Sequence, residues 1–115
     1  MKDTVDAKEL EEMCNRGEIT GCIVGGPFAL DNAVSIEPAK HKGITHPVAG
    51  EADILLAPDK EAGNILYKSL VFFSKSKNAG DIVGAKAPII LTSRADSEET
   101  KLNSIALGVL MSAKA

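Results

Sequence analysis

The chain has 115 residues and a formal net charge of −3, with 44% hydrophobic, 25% charged and 3% aromatic residues. That length suits one domain with room for a core, and an acidic chain with one Tyr and no Trp speaks against nucleic acid or an anionic membrane as partner. No apolar run approaches the roughly 20 residues of a bilayer span. Met1-Lys2-Asp3 opens a polar segment unlike a signal peptide, and Cys14 and Cys22 form no Cys-x-x-Cys pair, so a cytoplasmic protein with two reduced thiols is expected, Cys22 buried in a strand.

Asp6-Ala7-Lys8-Glu9 reads as a capping box opening a first helix, with Leu10, Met13 and Cys14 at helical spacing and Gly17 just past the end. Gly21-Cys22-Ile23-Val24 is a continuous apolar run, the pattern of a strand buried on both faces, and Gly25-Gly26-Pro27 ends it. A short helix is expected between Phe28 and Lys40, then a loop from His41 to Gly50. Ile54-Leu55-Leu56-Ala57 is a second buried strand, stopped by Pro58. The next helix is expected over Asn64 to Ser76, with Leu66, Leu70 and Phe73 on one face as core or dimer contact. Ile82-Val83-Gly84-Ala85 and Ile89-Ile90-Leu91, joined by Lys86-Ala87-Pro88, suggest an antiparallel hairpin. A last helix is expected from Asp96, with Glu99 completing a second capping box and Leu102, Ile105, Ala106 and Val109 buried.

Alternating helices and strands predict an α/β layered helix–sheet–helix domain with a mostly parallel sheet and a C-terminal hairpin pair. The chain enters through a helix, without the strand that usually opens a doubly wound domain, so an incomplete domain is expected.

The segment from Pro88 to Glu99 concentrates chemistry. An apolar run ends in Ser93-Arg94 and a helix start follows, which places a hydroxyl and a guanidinium beside unpaired helix N–H groups and the positive end of the dipole. Arg94, one of two arginines beside Arg16, is a candidate for a phosphate or acyl-phosphate group. The alternative is an arginine that caps a loop or pairs with a surface carboxylate. His41 and His46 lie in a loop without matched carboxylates or thiols, so surface histidines are expected rather than a zinc site.

Four segments in order resemble the phosphotransacylases, the phosphate acetyl- and butyryltransferases. They are Gly26-Pro27-Phe28-Ala29-Leu30-Asp31-Asn32-Ala33, the stretch from Pro47-Val48-Ala49-Gly50 to Leu56, Pro58-Asp59-Lys60-Glu61-Ala62-Gly63-Asn64-Ile65-Leu66-Tyr67-Lys68, and Leu91-Thr92-Ser93-Arg94. Asn32 and the run from Ile89 to Asn103 look nearest to the butyryltransferase branch. The resemblance implies reversible acyl transfer between coenzyme A and phosphate (butanoyl-CoA plus phosphate giving butanoyl phosphate and CoA). It also implies no metal or cofactor, with the coenzyme A thioester as substrate, and a homo-oligomer, expected as a dimer. The implied fold is like that of the isocitrate/isopropylmalate dehydrogenases, with two domains around a cleft.

Family members are more than twice as long. Residues 1–115 therefore resemble their carboxyl-terminal portion, in which 95–115 would form a final helix packed on the first domain. Little or no turnover is expected from this chain alone; the alternative is a non-catalytic module that dimerises or binds acyl-CoA.

Thiolate attack on an acyl phosphate requires thiol deprotonation, oxyanion stabilisation and neutralisation of the departing phosphate. Arg94 suits the last task because a guanidinium stays charged and binds phosphate bidentately. Ser93 is placed to donate to the sulfur or the oxyanion. Where the acetyltransferases carry an Asp after the Ser-Arg pair, this chain has Thr100, with Glu99 adjacent as base or cap. Asp31, after the Gly-Pro turn, is a cleft residue or alternatively a surface or N-cap residue. Gly63 and Asn64 are candidates for substrate or coenzyme A binding, Asn64 alternatively a helix-start residue.

Overall fold

The computed structural model describes residues 1–113; the last two residues of the expected 95–115 helix lie outside the described residues. It divides into two compact units, Met1–Gly63 and a second one starting at Asn64.

In the first unit, α1 spans Lys2–Asn15, with Met1 as N-cap and no side-chain cap. Asp6 and Glu9 therefore lie inside the helix, and the expected capping box is not formed. Asp3 is the acidic residue of the first turn, where the dipole favours it, and Glu9 faces Arg16 at 2.9 Å. The end is as expected: Gly17 sits at φ +77° and donates to the Cys14 carbonyl at 3.0 Å. The helix expected between Phe28 and Lys40 is two, α2 (Leu30–Val34) and α3 (Ile36–His41), separated by Ser35 in extended conformation.

The buried residues of this unit are Asn32, Ala33 and Ala39. The following loop is tied over α2 by Gly50 N–H to the Asn32 carbonyl (2.7 Å) and Ala52 N–H to the Ala33 carbonyl (3.0 Å). His46, expected on the surface, is half-buried. Its Nδ1 accepts from the Val48 N–H at 3.2 Å, its Nε2 lies 3.2 Å from Glu11, and its ring meets Phe28 edge-on.

Residues 21–24 and 54–57 form no strands. A strand of a parallel sheet is stabilised by ladder partners and by helices over both faces, and these segments have no ladder. Ile54 and Leu56 are 85% and 78% exposed. Cys22 is exposed, and the Cys14 thiol donates to its carbonyl at 3.5 Å.

Helix α4 (Lys60–Phe72) opens four residues before the expected start. Asp59 Oδ1 accepts the Ala62 N–H at 2.6 Å, an N-cap directly after Pro58. In the second unit, Leu70 and Phe73 of the expected apolar stripe are exposed. Strands β1 (Asp81–Ile82) and β2 (Ile89–Ile90) pair antiparallel, with Asp81 opposite Ile90 and Ile82 opposite Ile89. The hairpin is thus present with a six-residue connection rather than three. It is the only sheet among the described residues, so the mostly parallel sheet is absent there.

Helix α5 (Glu98–Ser112) lies against this hairpin. It buries Ser104 and Gly108, whereas Leu102, Ile105 and Val109 are exposed, opposite to the expected face. Small residues let a helix axis approach a sheet closely, and Ser104 adds polar satisfaction. Its Oγ donates to the Thr100 carbonyl (2.9 Å) and accepts the Gly80 N–H (3.0 Å).

Candidate active site

The Ser-Arg pair occupies a tight turn over residues 93–96, with Arg94 and Ala95 at its corners. Three hydrogen bonds close it. Asp96 N–H donates to the Ser93 carbonyl at 3.0 Å, Ser93 N–H donates to Asp96 Oδ2 at 2.7 Å, and Ala95 N–H donates to Ser93 Oγ at 3.3 Å. Asx and Ser side chains favour such local rings. The side chain of Arg94 is left projecting, exposed and without an ion pair among the described residues.

Ser93 and Arg94 line an open cleft of about 600 Å³ together with Asn64, Tyr67, Lys68, Gly80, Leu91, Thr92 and Asp96. Asn64, Tyr67 and Lys68 come from α4, Gly80 from just before β1, and the rest from the chain leading into and out of the turn. The Lys68 ammonium sits 4.7 Å from the centre of the Tyr67 ring, a cation–π contact. Lys68 and Arg94 therefore supply two positive charges to one cleft of a chain whose net charge is negative. The one carboxylate lining it, that of Asp96, accepts from both Ser93 N–H and the Tyr67 hydroxyl (3.1 Å). Tyr67 also accepts from Asn78 Nδ2 at 3.3 Å. Burial, then the neighbouring Asp96 carboxylate, holds the Tyr67 phenol above its ordinary pKa.

Of the residues expected to form the site, the structure brings Ser93, Arg94 and Asn64 together. Glu99 points elsewhere: it is exposed, bound to Lys77 at 2.6 Å, and lines a second hollow with Lys75, Asn78 and Asn103. It is not the cap of α5 either, since Ser97 Oγ accepts the Thr100 N–H at 3.1 Å. Asp31 belongs to the first unit, where it binds Lys42 at 2.9 Å; that bond, followed by the Asn32 N–H, keeps its carboxyl below the ordinary value. Gly63 ends that unit, and a Cβ there would stand 3.3 Å from the Ala57 methyl. Tyr67 and Lys68 were not among the expected site residues. Their signal is their spacing: they follow Asn64 by three and four residues on a helix, hence on one face. Among the described residues no group of His, Cys, Asp and Glu is arranged to hold a metal ion, and no helix is long and apolar enough to cross a membrane.

Residues 1–109 match the family model described as phosphate acetyl/butaryl transferase. The chain belongs to this family. It is 61% identical over 114 residues to the phosphate butyryltransferase of Clostridium beijerinckii, covering 99% of this chain and 38% of that protein. It is 63% identical over 110 residues to the phosphate acetyltransferase of Thermotoga maritima, covering 96% and 37%. The crystal structure of a branched-chain phosphotransacylase from Enterococcus faecalis V583 superposes with a TM-score of 0.79 at 43% identity, over 91% of this chain and 39% of that one. The chain thus spans less than two fifths of the length of these phosphate acetyl/butaryl transferase relatives. The family match includes both the Ser93-Arg94 turn and the helix carrying Tyr67 and Lys68.

Proposed function

We propose that this chain supplies the Ser-Arg side of an acyl-transfer site in a phosphate butyryltransferase-type enzyme, interconverting butanoyl-CoA plus phosphate with butanoyl phosphate plus CoA. The observation that carries this reading is the shared cleft of Ser93, Arg94 and Lys68, with both cations free of carboxylate partners among the described residues.

A phosphate oxygen attacks the thioester carbonyl, a tetrahedral oxyanion forms, the C–S bond breaks and the thiolate takes a proton. Arg94 pairs with the phosphate, as a guanidinium is shaped to do, and Lys68 adds a point charge beside it. Among the described residues the Ser93 Oγ accepts the Ala95 N–H and donates to none, so its hydroxyl proton is available to the sulfur or the oxyanion. Asn64 at the cleft wall, with Gly63 before it, faces the coenzyme A portion. Glu99 enters as proton acceptor only if it leaves Lys77, and Asp31 as a substrate contact only if it leaves Lys42. Residues 1–115 correspond to the carboxyl-terminal portion of such an enzyme. The mostly parallel, dehydrogenase-like sheet belongs to the longer arrangement, in which residues 21–24 and 54–57 find ladder partners. An activity on coenzyme A thioesters fits the cytoplasm.

A second reading, a non-catalytic module that self-associates or binds acyl-CoA, draws on the exposed Leu102, Ile105, Val109 and Leu110 of α5. Two measurements on the 115-residue chain separate the readings. Calorimetry with coenzyme A and with phosphate should show binding, lost in Arg94→Gln. Phosphate-dependent thiol release from butanoyl-CoA should be weak, because positioning from both sides of a cleft sets the rate. Absence of binding to both ligands overturns the acyl-transfer reading. Binding with no turnover, even when a relative's remaining segment is added, favours the module.

A further inference from the structure

We infer that Tyr67 and Asp96 are positioning residues that hold the Ser93–Arg94 turn in the shape that aims the Arg94 guanidinium into the cleft.

Asp96 spends both carboxylate oxygens locally. Oδ2 accepts the Ser93 N–H at 2.7 Å and Oδ1 accepts the Tyr67 hydroxyl at 3.1 Å. The first bond closes the turn on itself, and the second anchors that closed turn to α4. Tyr67 is in turn held by Asn78 Nδ2 at 3.3 Å, and the Asn78 carbonyl receives Asn103 Nδ2 of α5 at 3.5 Å. A turn of four residues has little rigidity of its own; fixed to two helices, it loses the freedom that ligand binding would otherwise have to remove. The arrangement also leaves the Ser93 N–H engaged by Asp96, so that N–H does not serve as an oxyanion donor. The Tyr67 phenol, held above its ordinary pKa mainly by burial and then by Asp96, stays a neutral donor across the physiological range, as such a brace requires.

The inference rests on the acyl-transfer reading for its ligand, and the test separates the two. Phosphate and coenzyme A are titrated by calorimetry into the 115-residue chain, into Tyr67→Phe, Arg94→Gln and the double variant. Tyr67→Phe should bind phosphate roughly tenfold more weakly while still unfolding in one cooperative melt. The same substitution should cost nothing further in the Arg94→Gln background, because Tyr67 acts through Arg94. Asp96→Ala should resemble Tyr67→Phe. Asp96→Asn should retain affinity, since its amide still accepts from Ser93 and offers a donor to the Tyr67 oxygen. Equal phosphate affinity in Tyr67→Phe and the unsubstituted chain, or a loss that simply adds to that of Arg94→Gln, overturns the inference.

If the unsubstituted chain binds neither ligand, the acyl-transfer reading fails and amide exchange decides the brace alone. Ser93 N–H should exchange slowly and at least roughly tenfold faster in Tyr67→Phe, while the Thr100 N–H, capped by Ser97, is unaffected. An unchanged Ser93 rate overturns the brace. Should Tyr67→Phe melt early, Asn78→Ala loosens Tyr67 from the other side and is read by the same exchange.

Discussion

Gly50 lies flat against Ile36: a Cβ on Gly50 would fall 2.6 Å from the Ile36 Cα and 2.7 Å from its nitrogen. Gly50 also holds φ +85° and donates to the Asn32 carbonyl at 2.7 Å. Gly50→Ala therefore meets both a disfavoured backbone region and a backbone wall that cannot rotate away. The expected loss is about 3 kcal/mol in urea unfolding. Gly17→Ala is the control, with a similar φ of +77° but open space around it, and should cost about 1 kcal/mol. Equal losses at the two positions would remove the steric part of the argument.

Asp81 faces α5 with both carboxylate oxygens buried and, among the described residues, unpartnered, Oδ2 lying 3.3 Å from where a Cβ on Gly108 would stand. A buried polar group without a partner costs more than its replacement by an apolar group of similar shape. Asp81→Val, β-branched and of suitable size for β1, should raise stability by about 1–2 kcal/mol, read as an upward shift in melting temperature. A lower melting temperature would mean that the carboxylate does find a donor in solution.

Ser97 and Glu99 divide what local pattern alone assigns to Asp96 and Glu99. Ser97 Oγ takes the Thr100 N–H and stands 3.1 Å from the Thr100 hydroxyl, whereas Glu99 reaches out to Lys77. Ser97→Ala should cost about 1 kcal/mol of helix stability. Glu99→Gln should change stability by less than about 0.5 kcal/mol, since an exposed pair contributes little. Circular dichroism melts of the two variants check the order; a larger loss from Glu99→Gln would mean that the Lys77–Glu99 pair, rather than the Ser97 cap, holds the start of α5.

These displacements show where sequence pattern loses its grip. The helices and the antiparallel hairpin are legible because caps, periodicity and Gly17 act locally. Their bounds are less so: Asp59, Ser97 and Met1, rather than Asn64, Asp96 and Asp6, open α4, α5 and α1. The buried face of α5 was not legible, because hydrophobicity pointed to Leu102, Ile105 and Val109 while the hairpin accepts only small residues, Ser104 and Gly108. The runs at 21–24 and 54–57 are apolar enough for strands, but a ladder depends on distant segments. Ser93 and Arg94 stand out as a motif, yet Tyr67 and Lys68, one helix face away, emerge only once α4 and the turn are in place.

Tyr67 is the only tyrosine and the chain has no tryptophan, so absorbance at the phenolate band reports its ionisation alone. Burial comes first among the causes that raise its pKa and the Asp96 carboxylate second. The midpoint of phenolate formation should therefore lie above the usual value of about 10. The sign of the linkage follows. In the folded state the phenol keeps its proton at a pH where the unfolded chain has lost it, so the folded state binds more protons and stability falls as pH rises. That contribution is complete below the unfolded value near 10 and is lost as pH climbs through the raised folded value. Asp96→Asn removes the negative charge and offers a donor to the phenolate, so the midpoint should move down toward the ordinary value and the alkaline loss of stability should shrink. A midpoint unmoved by Asp96→Asn would leave burial as the whole cause, and an ordinary midpoint in the unsubstituted chain would mean that the Tyr67–Asp96 bond is not populated in solution.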